Sequence, residues 1–300
     1  MLTLQIAKPG SVNRNESFPD DIQRKALRAY VELLRLRNYS QNTIKNYRNW
    51  FEFFLRHFHD RKPSTISKNE ILDFLVAFRK SSHWSATSQN QLVNAIKFFY
   101  EKLLNRPREF YDLPRAKKET KLPVVFAEKE IKAMIECAEN VKHRAIICLA
   151  YACGLRISEI VNMKIEDIDS KRMVISIRQS KGRKDRQVML SPVLLNLLRA
   201  YFKEYKPQSW LFEGWNKTQY STRSIGQMLQ RIKQKAGVRK KGSIHAVRHS
   251  FATHLLEGGT DLLSIKELLG HNSLRTTSTY VHVSRKHINK IISPLDKLGL

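Results

Sequence analysis

Apolar residues recur at helical spacing through the first third of the chain. Ile22, Ala26, Leu27, Tyr30, Leu33 and Leu34 form one set, and Ile44, Tyr47, Phe51, Phe54, Leu55 and Phe58 a second. Each set falls on one side of a 3.6-residue turn and predicts an amphipathic helix. Ser67-Lys-Asn-Glu70 has the spacing of a capping box ahead of Ile71, Leu72, Phe74 and Leu75, so a third helix should start there. A fourth runs from about Ala86 through Leu92, Ile96 and Phe99 to Leu103. Residues 21–114 therefore read as a four-helix unit. The stripe Trp50, Phe51, Phe53, Phe54 and Phe58 is expected in its core, not as a platform for stacked bases. Residues 1–20 hold Pro9, Gly10, Asn13, Asn15 and Pro19 with no period, the mark of a flexible arm.

Between Pro114 and Pro123 the chain turns polar and basic, and residues 115–123 are expected to be a linker. The block 124–300 is again mostly helical, over about 128–138, 142–151 and 158–163. Helices follow from Ser191-Pro192, where proline suits a first turn, from Ser221, and over 245–257 and 261–269. One stretch breaks the pattern. Met173-Val-Ile-Ser-Ile177 and Gln187-Val-Met-Leu190 are β-prone runs separated by polar residues 179–186, which predicts a hairpin. The fold class is thus mainly α, two helical domains with a small β-hairpin or sheet in the second. At the end, Ile288, Ile291 and Ile292 make a short apolar face that Pro294 cuts off. Such a segment is too short to hold a helix alone and should dock, on its own domain or on a neighbouring copy.

Charge narrows the class of partner. The 300 residues carry 54 Lys+Arg against 27 Asp+Glu, a formal net charge of +27. A surface of that sign attracts polyanions, and nucleic acid fits best because each neutralised phosphate releases condensed counterions. The rival partner, an anionic membrane surface, finds no support in a spanning apolar run or a signal segment, so the expectation is no membrane and an intracellular, cytoplasmic protein. Cys137, Cys148 and Cys153 are odd in number and none forms a CxxC pair; they read as small core residues.

Two short motifs suit phosphate chemistry. Ala152-Cys153-Gly154-Leu155-Arg156-Ile157-Ser158-Glu159 places an arginine and a carboxylate three apart, and His245-Ala-Val-Arg248-His249 places His245 and Arg248 on one helix face. Opening a phosphodiester needs cations on the nonbridging oxygens, a nucleophile, and a proton donor for the leaving oxygen. Arginine's planar fork is suited to the first task. Alone, each motif is weak, since an isolated His-x-x-Arg-His is commonly a surface or packed histidine. Further on, Leu268-Leu269-Gly270-His271 is followed nine residues later by Tyr280 in Thr276-Thr277-Ser278-Thr279-Tyr280.

In order and spacing, the run from Arg248 to Asp261, the Glu267 to His271 segment and the Thr276 to Tyr280 segment resemble the tyrosine recombinase (phage integrase) family, and the Arg156 motif resembles that family's first arginine motif. The resemblance covers about residues 20–300. It implies a helical core-binding domain followed by a catalytic domain, with Tyr280 as nucleophile and Arg156 and Arg248 gripping the scissile phosphate. His245 and His271 would assist by hydrogen bonding and proton transfer, and Lys181 in Ser180-Lys181-Gly182 would be the general acid. Glu159 would orient Arg156. His249 and His254 are expected to pack or bond locally, and His282 and His287 to be surface residues. Clustered cations should favour the Tyr280 phenolate.

The implied activity is site-specific recombination of double-stranded DNA through a 3′-phosphotyrosyl intermediate, with no cofactor, ATP or metal. It implies a homotetramer on two DNA sites of inverted-repeat type, with a second recombinase as a possible partner, and either a Xer-like or a compact mobile-element enzyme. Ile265 to Thr277 also fits a helix-turn-helix regulator, a reading that leaves Arg156, Lys181, Arg248 and Tyr280 without purpose. A type IB topoisomerase shares the chemistry but is a poorer match to the chain.

Overall fold

The structure, a computed structural model, describes residues 21–80, 84–107, 113–117, 122–178 and 185–281. The expected arm, part of the linker, the hairpin turn with Lys181, and the C-terminal tail with His282 and His287 lie outside the described residues. The chain divides into two compact units, residues 1–120 and 121–300.

The first unit holds helices α1 (Asp21–Leu36), α2 (Gln41–His57), α3 (Lys68–Lys80) and α4 (Ala86–Phe98), the last continued by a π-helical turn over Phe99–Leu103. Local chemistry starts them where the sequence indicates. The Ser40 hydroxyl accepts from Thr43 N–H at 3.3 Å, and Ser67 and Glu70 exchange backbone-to-side-chain bonds at 2.8 and 3.3 Å, the reciprocal pattern of a capping box. The apolar faces meet in an aromatic core. Tyr30, Phe51, Phe54 and Phe78 are fully buried, and the Phe51 ring stacks on Tyr30 at 4.3 Å and on Phe99 at 4.6 Å. Buried hydroxyls find acceptors, Tyr30 on Ala95 O and Tyr100 on Pro63 O, as burial of a polar tip demands.

The second unit is built around α6 (Val141–Cys153), whose apolar residues reach nearly all round it; a helix of that kind belongs inside. It packs against α8 (Pro192–Tyr205) and α10 (Ile244–Glu257). Around these lie α5 (Glu128–Glu136), α7 (Ile157–Asn162), α9 (Thr222–Lys235) and α11 (Leu262–Leu269). The predicted hairpin is β2 (Val174–Ile177) with β3 (Arg186–Met189), antiparallel with Ile175 opposite Val188. The two-residue strand β1 (Ile168–Asp169) extends it to three strands in the order β1-β2-β3. Cys153 is buried, Cys137 and Cys148 are partly buried against the same core, and all three are free thiols.

A smaller apolar cluster determines where the site lies. Phe251, Ala252 and Leu256 of α10 meet Ile265 and Leu269 of α11 and, beyond the short helix α12 (Leu274–Thr277), Tyr280. Gly154 ends α6 at φ +58°, and a Cβ there would run into the Phe251 ring and Leu269. Only glycine suits both the left-handed backbone and the close approach.

Candidate active site

Arg156 is the N-cap residue of α7, so its backbone N–H is free to meet a side chain in the first turn. That partner is Glu159. The Arg156 N–H donates to Glu159 Oε2 at 2.9 Å and its Nη1 to Oε1 at 2.8 Å, while Nη2 donates to Gly270 O at 3.2 Å. The three-residue spacing seen in the sequence is thus a capping and ion-pair contact together. Arg186 at the start of β3 takes the rest of the carboxylate, Nη1 to Oε1 at 2.9 Å and Nη2 to Oε2 at 2.8 Å. Burial raises the Glu159 pKa, but the bonds and charge of Arg186, the Arg156 N–H and the Arg248 charge outweigh it and bring the carboxyl to about 2.

Arg248, 3% exposed, is tied inward. Its Nη1 donates to Gly154 O and its Nη2 to Leu269 O, both at 2.6 Å, and Nη1 stands 3.7 Å from Glu159 Oε2. Nη2 also lies 3.1 Å from His271 Nε2. A guanidinium only donates, so that nitrogen accepts and the His271 proton sits on Nδ1, 3.0 Å from Thr277 Oγ1. Burial, followed by Arg248 and Arg156, lowers the His271 pKa to about 4, which keeps the ring neutral. His245 is the exposed residue in an otherwise buried first turn of α10. Its pKa is lowered by partial burial and then by the charges of Arg248 and Arg156, so it shares their field.

Tyr280 ends the single 3-10 turn Ser278–Tyr280 and is 2% exposed. Its hydroxyl lies 3.0 Å from His249 Nδ1, and its ring lies near-parallel to His271, centroids 6.3 Å apart. Burial raises the phenol pKa, and the opposing charges of Arg248 and Arg156 do not reverse it. The expected bias toward phenolate is therefore overridden by loss of water around the oxygen. His249 is likewise neutral, its pKa lowered to about 4 by burial and then by His245 and Arg248.

Of the six residues singled out in the sequence, the structure gathers Arg156, His245, Arg248, His271 and Tyr280 into one charged cluster; Lys181 lies outside the described residues. Three guanidinium groups surround one carboxylate, an excess positive charge of the kind a phosphate in transit needs. His249 and His254, expected to pack or bond locally, instead each reach a tyrosine distant in sequence, His249 the Tyr280 hydroxyl at 3.0 Å and His254 the Tyr151 hydroxyl at 2.8 Å. Sequence reasoning missed Arg186, whose only signal is an arginine opening a β-prone run. Among the described residues no group of three or more His, Cys, Asp or Glu is gathered as metal ligands, and no helix is long and apolar enough to cross a membrane.

Comparison with known proteins places this mainly helical fold and its charged cluster. The phage integrase family matches residues 125–287, and the phage integrase N-terminal SAM-like domain matches residues 25–109. A putative integrase/recombinase of Sinorhizobium fredii is 38% identical over 271 residues, covering 89% of this chain and 87% of the relative. The tyrosine recombinase XerA of Pyrococcus horikoshii is 34% identical over 283 residues, 93% of this chain and 95% of XerA. A lambda integrase tetramer solved on a Holliday junction shares the fold at a TM-score of 0.70, with 19% identity over 86% of this chain and 76% of that one. The chain belongs to the phage integrase family, the tyrosine recombinases.

Proposed function

We propose that this protein is a site-specific DNA recombinase that cuts and rejoins double-stranded DNA through a covalent bond between Tyr280 and a 3′ phosphate. The observation that carries the reading is that Arg156 and Arg248 hold adjacent residues of one turn, Arg156 Nη2 donating to Gly270 O and Arg248 Nη2 to His271 Nε2, with the Tyr280 ring set against His271. Arg156 and Arg248 bind the nonbridging oxygens, where charge builds as phosphorus becomes five-coordinate. The Tyr280 oxygen attacks phosphorus, the bond to the 5′ oxygen breaks, and that oxygen leaves as a hydroxyl with a proton from Lys181. The phenol proton goes to a neighbouring base, and His249 is the imidazole already at the hydroxyl. His245 and His271 assist by hydrogen bonding and proton transfer. Because the phosphotyrosyl ester keeps the energy of the broken bond, a 5′-hydroxyl attacking it in reverse rejoins the strand. No ATP enters, and guanidinium groups supply the positive charge in place of a metal.

The two units are read as a core-binding domain (21–114) and a catalytic domain (124–300) joined by residues 115–123. A tetramer on two DNA sites is the working form, in keeping with the lambda integrase assembly, and the cytoplasm is the working compartment. The test uses a pool of nicked duplexes randomised across the target half-site, from which covalent protein–DNA adducts are recovered under denaturing conditions. Wild-type protein should form adducts on a defined subset of the pool. Tyr280→Phe should form none while retaining that DNA in gel shifts, because it loses one hydroxyl. Adducts that persist in the variant, or a wild type that forms none, would overturn the assignment.

A further inference from the structure

We infer that Arg186 is a positioning residue for the phosphate clamp: it saturates the Glu159 carboxylate so that Arg156 and Arg248 are not pulled further onto it. This deepens, and rests on, the reading of those two arginines as the clamp. A carboxylate offers about four acceptor positions. At Glu159 all four are filled, two by the Arg156 backbone and Nη1, two by the Arg186 fork. Arg248 Nη1, at 3.7 Å, is in ion-pair range but just outside hydrogen-bonding distance. The carboxylate is 4% exposed, so water cannot substitute for a missing donor. Without the Arg186 fork, the two vacated positions would draw in the nearest cations. Those are Arg248 Nη1 and the Nη2 of Arg156, which now faces Gly270 O. Either movement turns a clamp arginine away from phosphate and into a closed ion pair, since a two-pronged guanidinium–carboxylate contact is the strongest pairing open to it.

The rest of the Arg186 side chain fits the role. It is 9% exposed, and its Nε donates to Leu268 O at 2.8 Å in the last turn of α11. Its guanidinium packs against Gly270, where an added Cβ would lie 3.0 Å from Nη1, and the Gly270 carbonyl is the one that holds Arg156. One side chain thus ties β3, the carboxylate of α7 and the turn before His271. Arg186 is also five positions after Lys181, so β3 joins the carboxylate to the segment that bears the proposed acid.

The experiment compares covalent adduct formation on a duplex recovered by the wild-type protein from the randomised pool. That duplex is made with either a normal scissile phosphodiester or a methylphosphonate, whose methyl group removes the phosphate charge. Arg186→Lys keeps the buried charge but has no fork. It should bind the duplex within about twofold of wild type and cleave the phosphodiester about 10- to 100-fold more slowly. On the methylphosphonate, where the clamp has no anion to hold, the deficit should shrink to about threefold or less. An equal deficit on both duplexes, or none on the phosphodiester, would overturn the inference. If the lysine variant does not fold, the neutral pair R186Q/E159Q decides the matter, because glutamines at both positions remove the buried charges together. Added to E159Q, R186Q should cost about threefold or less, since the two act as one unit. A further loss of about tenfold or more would show that Arg186 acts by another route. A wild type that forms no adduct refutes the recombinase reading itself and is thereby distinguished from both outcomes.

Discussion

Acid attacks this cluster through two kinds of residue with the same sign. His249 and His271 are lowered from 6.5 to about 4, so the unfolded chain binds their protons first. Their stabilisation is complete above pH 6.5 and is lost as pH falls toward 4. Glu159 is lowered from 4.5 to about 2; its contribution, about 3 kcal/mol, is present above 4.5 and lost as pH falls toward 2. The thermal midpoint should therefore decline from about pH 6.5 downward and steepen below 4.5, and Glu159→Gln should remove the lower limb. A midpoint flat from pH 7 to 4.5 would contradict the buried neutral imidazoles. At this scale the sequence was legible where residues sit in short motifs: Arg156 with Glu159, His245 with Arg248, and His271 nine before Tyr280. Arg186 and His249 were not, because the contacts that define them join positions 27 and 31 residues apart, and no local spacing encodes such a pair.

Helix ends shape the site more than helix bodies do. Gly154 closes α6 and hands its carbonyl to Arg248, while its missing side chain lets Phe251 and Leu269 close over it. Gly154→Ala should destabilise the protein by about 2–4 kcal/mol, since it combines a left-handed backbone with overpacking. Gly226→Ala is the control. That residue lies inside α9 with nothing within 4 Å of its Cβ position, and the change should stabilise by about 0.5–1 kcal/mol. Urea midpoints compare the two, and equal effects would remove the packing argument. The helices were predictable because long apolar periods and capping residues coincide, as at Ser67, Ser191 and Asp261. Strand β1 was not, since two residues carry no period, nor was the π-helical turn after α4, which continues the same apolar face.

Across the whole molecule, charge was the most legible property and the one with the simplest consequence. Binding to duplex DNA should weaken with salt so that log K falls linearly against log salt, at about 0.9 per phosphate contact. Filter binding at several salt concentrations measures the slope, and a flat response would mean that the +27 charge faces another partner. A net charge of +27 is expected to attract phosphodiesters without discrimination, RNA and bystander DNA included. Tyr280 is screened from that crowd, 2% exposed in the apolar cluster of α10 and α11 with its hydroxyl 3.0 Å from His249 Nδ1. On the proposed reading, the exposed charge that attracts DNA lies outside the apolar seat that holds the nucleophile, as a safety catch separates grip from trigger. If Tyr280 is the nucleophile, a strand merely adsorbed to the outer cations should leave uncut, and only a duplex that draws the Tyr280 turn out of its apolar seat should meet the blade.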